Sequence, residues 1–119
     1  MNSLGFTVII AIISTALIIS ILSGLPLDVK NKDELIRSAE SHSNQAHIYE
    51  QQAQDLSKKG EHEEALKKFV LAAKEYHQAA LDYGQLNDFF NTAKYHGRSS
   101  LAYEEAHIIQ TESHIIFRP

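Results

Sequence analysis

The residues best suited to chemistry in this chain are its histidines, seven among 119 residues. Glu104-x-x-His107 sets a carboxylate and an imidazole one helical turn apart, the spacing used by carboxylate-bridged di-iron bundles. Such a centre needs a second copy of that motif and two further glutamates on other helices. Only one copy is present. His107 and His114 share a face but stand two turns apart, too far to grip one ion directly, and no HExxH run occurs. Glu104, His107 and His114 are thus weak candidate metal ligands, and a helical metal-binding protein ranks last among the functional readings. The chain has no cysteine, which excludes disulfides, thiolate metal sites and cysteine nucleophiles. It has no glycine-rich phosphate loop and no nucleophile elbow, and its acidic run Glu61–Glu64 reads as the charged first turn of a helix. No catalytic residue and no cofactor are therefore expected, and an enzyme is expected only in the sense of a non-catalytic subunit of one.

The elements that would position these side chains follow from charge and spacing. Residues 1–27 carry no charge, and every charged residue lies in the 92 residues that follow, enough for one small domain. The run from Leu4 to Leu25, "LGFTVIIAIISTALIISILSGL", is 22 residues long; as a helix it would reach about 33 Å, the depth of a bilayer's hydrocarbon core. A cleaved signal peptide would want a basic start, a shorter apolar core and a small-residue cleavage site; this run has no basic start, a long apolar core and only a poor cleavage match in "ILSGLPLD". A retained single-span anchor over 1–27 is the reading adopted, ahead of a signal peptide and a buried core helix. Lys30, Lys32 and Arg37 follow the run and no basic residue precedes it, so the positive-inside rule places the remainder in the cytoplasm. Acids and bases are interspersed at a net charge of −4, which argues against a nucleic-acid partner.

Beyond a linker at 28–34, three helices are legible between residues 35 and 113. In the first, Ala39, Ser43, Ala46, Tyr49, Ala53 and Leu56 recur at spacings of three and four. An Asn31/Glu34 capping box would open it, and Lys58, Lys59 and Gly60 would close it, with glycine in the left-handed C-cap. The second helix opens with Glu61, Glu63 and Glu64, pairing Glu63 with Lys67 and Glu64 with Lys68. It carries two adjacent stripes, Ala65-Phe69-Ala72-Tyr76-Ala79-Tyr83 and Leu66-Val70-Ala73-His77-Ala80. So wide an apolar face wants a neighbour on each side, and His77 is expected to pack there. After Gly84, with Asn87 or Asp88 as N-cap, a third stripe runs through Phe90, Ala93, Tyr95, Leu101, Ala102, Ala106 and Ile109. Gly97 interrupts that helix, weakening it by about 1 kcal/mol relative to alanine or permitting close helix contact. Short connections make the three helices an up-down-up bundle, so the chain is expected to be all-α.

The pattern Tyr49-x3-Ala53-x2-Leu56-x3-Gly60-x4-Ala65-x3-Phe69-x2-Ala72 resembles the tetratricopeptide repeat, although His77 stands where its terminal proline would be. "Gly60-Glu-His-Glu-Glu-Ala-Leu66", with Tyr103-Glu-Glu-Ala106, is similar to the microtubule-interacting and trafficking (MIT) domain, a three-helix bundle. The resemblances cover residues 45–110 and imply a scaffold that binds other proteins along its helix grooves. The tail repeats His-Ile-Ile at a seven-residue interval. Ile115, Ile116 and Phe117 at 114–119 would overhang the bundle, either folding back on the first helix or forming, with Ile108, a docking patch for another subunit. The expected protein is a single-pass membrane accessory or scaffold subunit, whose partners are the lipid bilayer and other subunits of a membrane complex. The alternative is a tethered adaptor that recruits a soluble partner peptide.

Overall fold

The computed structural model describes residues 29–113, so the apolar run Leu4–Leu25 and the tail with His114, Ile115, Ile116 and Phe117 lie outside the described residues. Among the described residues there are three helices and no strand: α1 (Val29–Lys58), α2 (His62–Gln85) and α3 (Phe89–Ser113). No helix among them is long and apolar enough to cross a membrane. Residues 29–34, read from the sequence as linker, are the first turns of α1. No glycine or proline follows Pro26 to stop the helix from starting early, so the Asn31/Glu34 pair falls inside it.

Both helix ends between elements use the same device. Gly60 sits at φ 81°, its N–H bonding the Ser57 carbonyl, while the Glu61 N–H reaches back to Leu56. Asn87 repeats this at φ 59°: its N–H bonds the Gly84 carbonyl and the Asp88 N–H bonds that of Tyr83. These paired bonds satisfy carbonyls orphaned at the helix end. Asp88 then caps α3, its carboxylate accepting from the Asn91 backbone N–H at 3.1 Å and side-chain amide at 2.7 Å. Those two bonds favour the charged form and hold its carboxyl below the usual carboxylate range. In α2, Lys67 takes both acids, Glu63 at 3.6 Å and Glu64 at 3.5 Å. Lys68, expected to pair with Glu64, instead lies 5.2 Å from the centre of the Tyr49 ring on α1.

The middle helix is sandwiched as its double stripe requires. Ala65, Leu66, Phe69, Ala72, Ala73, Tyr76, Ala79 and Ala80 are all buried. They meet Ala46 and Ala53 of α1 and Tyr95, Ala102, Ala106 and Ile109 of α3 in two apolar clusters. Alanine dominates because small side chains allow antiparallel backbones to approach closely, and the rings of Tyr76, Tyr95 and Phe69 fill what remains. His77 is not in this core. It is exposed, its ring 5.3 Å from that of His96 on α3.

The third helix turns a different face inward from the one its sequence suggests. Tyr95, Ser99, Ala102, Ala106 and Ile109 are buried, whereas Phe90, Ala93 and Leu101 are exposed. At 3.6 residues per turn Phe90 lies about 140° around the helix from Tyr95, so the two cannot share a seam. The position that completes the true seam is polar. Ser99 is buried only because its hydroxyl donates to the Ala73 carbonyl at 2.8 Å, which removes the penalty of an unpaired buried hydroxyl.

Candidate functional site

Two places in the described structure depart from a plain helical core, one buried and one exposed. The buried one centres on Tyr76, which is 0% exposed. Its hydroxyl donates to Glu50 Oε1 at 2.6 Å and accepts from His47 Nδ1 at 2.9 Å, so His47 carries its proton on that nitrogen. The ring packs edge-on to His47 and stacks on Tyr95 at 5.9 Å, with the Arg98 guanidinium 5.9 Å from its centre. Tyr83 also stacks on Tyr95, at 5.6 Å. Burial raises the Tyr76 phenol well above its ordinary value, the Glu50 carboxylate adds to the rise, and Arg98 opposes it. Burial first, then Tyr95, also raises Tyr83.

The bonds to Glu50 and His47 hold the phenol as a hydrogen-bond donor. A nucleophile or general base needs a pKa brought toward neutrality; Tyr76 moves the other way and stays a hydrogen-bond donor. The cluster fastens α1 to α2, and Ser38–Asp82 at 2.6 Å and His42–Glu75 at 2.6 Å fasten the same pair of helices further along. Beside it a shallow depression of about 380 Å³ is lined by His47, Ile48, Glu50, Gln51 and Gln54 of α1. The carboxylate there is already bound to Tyr76.

The exposed feature is the outer face of α3. Phe89 is 72% exposed, Phe90 77%, Leu101 60% and Ile108 38%. Phe90, Leu101 and Ile108 fall within about 20° of one another around the helix, opposite the buried seam. Gly97 lies on the same line, and a Cβ built there would meet nothing within 4 Å. The fold itself therefore has no steric need for glycine at this point.

Of the residues singled out from the sequence, Ile108 belongs to this face, and Glu104 and His107 are exposed on its flank. Among the described residues no group of three or more histidine, aspartate or glutamate side chains could hold a metal ion. The face also includes Phe90 and Leu101, which the sequence pattern assigns to the core. The signal that separates the two seams is the run Tyr95-Ser99-Ala102-Ala106-Ile109, unbroken at spacings of four and three once serine is admitted. No family model, curated protein or solved structure matches the chain.

Proposed function

We propose that this protein is a non-catalytic, single-pass membrane accessory or scaffold subunit that works through protein–protein contact. The observation that carries the reading is the outer face of α3, where three large apolar side chains line up in solvent. Single exposed leucines are ordinary, but three large apolar side chains aligned along one face of a helix, on an otherwise charged surface, suit a contact site. The uncharged run Leu4–Leu25 supports the membrane anchor by length and composition. The protonated, hydrogen-bonded Tyr76 supports a structural role for the most perturbed titratable group.

Extraction of the intact protein in mild detergent, followed by native mass determination at low and high salt, tests this reading. A stoichiometric assembly that survives high salt is the expected result. An assembly lost in salt would favour the adaptor that recruits a soluble peptide. A free monomer that captures nothing would overturn both.

A further inference from the structure

The outer face of α3 has an internal symmetry that points to its occupant, an inference that rests on reading this face as a docking surface. Phe90 and Ile108 stand nine residues either side of Ser99, and Gly97 and Leu101 stand two either side. All four lie within about 40° of one line along the helix. Lys94 and Glu105, both exposed, sit together on one flank of that line and nearly equidistant from the same centre. We infer that the face pairs with a second copy of this chain, α3 against α3 in antiparallel register about a two-fold axis near Ser99.

In that register the apolar residues of the face and the flank that holds Lys94 and Glu105 complement themselves, while Glu104 on the other flank stays in solvent. Phe90 of each copy meets Ile108 of the other. Leu101 enters the gap over Gly97, where the missing Cβ leaves open space and lets the two backbones draw close. A two-fold axis normal to the plane of an antiparallel pair puts the same flank of both helices on the same side. Lys94, whose ammonium lies 5.2 Å from the centre of the Tyr95 ring within one chain, would turn outward to meet Glu105 of the other copy twice, once at each end. A two-fold interface must be self-complementary in this way, whereas an unrelated partner would impose no such symmetry on shape and charge. The glycine, unexplained within one chain, is explained by two.

The test uses the full-length protein in detergent micelles. Sedimentation should give a dimer, and Gly97→Leu should raise its dissociation constant about tenfold or more while leaving helicity intact or higher, since leucine is the better helix former. The absence of native cysteine allows a geometric check. A mixture of Lys94→Cys and Glu105→Cys chains should form a disulfide on mild oxidation. Lys94→Cys alone should not, because its two copies would stand about 15 Å apart along the axis. A monomer, a Gly97→Leu variant that associates as tightly, or self-cross-linking of Lys94→Cys alone would overturn the inference. A one-to-one complex with a different protein on this stripe would also overturn it, leaving the interaction-module reading standing. A free monomer that captures nothing would remove both.

Discussion

The two faces of α3 divide the apolar residues of one helix in an unexpected way. The inner face, Tyr95-Ser99-Ala102-Ala106-Ile109, is built mainly from small side chains, while the outer face holds Phe90, Leu101 and Ile108. Burial free energy follows area, so the larger side chains have more to gain from cover than the alanines already have. What the inner face gains instead is proximity: alanine and a bonded serine let α3 lie close against α2. Close packing within the chain, with large apolar side chains left outside it, is the arrangement that the proposed contact with another chain would complete.

The largest expected effect that separates the faces comes from the residue that joins all three helices. Tyr76→Ala should cost about 3–5 kcal/mol by analogy with other buried aromatics, read as a lower denaturation midpoint. Alkaline titration sharpens the same point. The folded Tyr76 phenol is raised by burial above the ordinary tyrosine value of 10.0, so its contribution is full below pH 10 and is lost as pH climbs from there toward the folded value. Tyr76→Phe should flatten that alkaline loss; an unchanged profile would assign it to other tyrosines, Tyr83 first.

Ala102→Leu comes next. It adds volume at a position only 1% exposed, and overpacking of this kind typically costs about 1–3 kcal/mol. A thermal scan should show the drop, and a neutral result would mean that α3 does not lie as close to α2 as the alanines imply. The smallest effect is the most telling for the comparison. Leu101→Ser on the outer face should change the stability of the isolated chain by no more than about 0.5 kcal/mol while weakening its assembly. Equal loss of folding stability from Leu101→Ser and Ala102→Leu would erase the distinction between the faces.

Much of this architecture is written in local pattern. Gly60 announces the end of α1 because few other residues accept a left-handed backbone, and the double stripe of α2 announces a helix with two neighbours. Asn87 and Asp88 were both legible as N-cap candidates; Asp88 is the cap, and Asn87 takes the left-handed turn before it. The inner seam of α3 was hidden because hydrophobicity alone passes over Ser99, whose burial depends on a carbonyl 26 residues away. That partner is set by tertiary packing. The same oversight placed Phe90 and Leu101 in the core and so concealed the outer stripe, of which only Ile108 was singled out. The Tyr76–Glu50–His47 cluster was likewise out of reach, since it joins residues brought together only when α1 and α2 pack. Lys68 moved to the Tyr49 ring because a tertiary neighbour offered more than a helical one.

The alanine packing of α2 against its neighbours also sets how this domain answers to temperature. Alanine has no rotamers to freeze, so the ordering of this core draws mainly on backbone freedom. It also removes little apolar area from water per residue, and the heat capacity of unfolding scales with that area. A core assembled this way has a flatter stability curve than one of the same length packed with leucine. Its fold stays nearly constant in strength over a wide span of temperature, though never by a large margin.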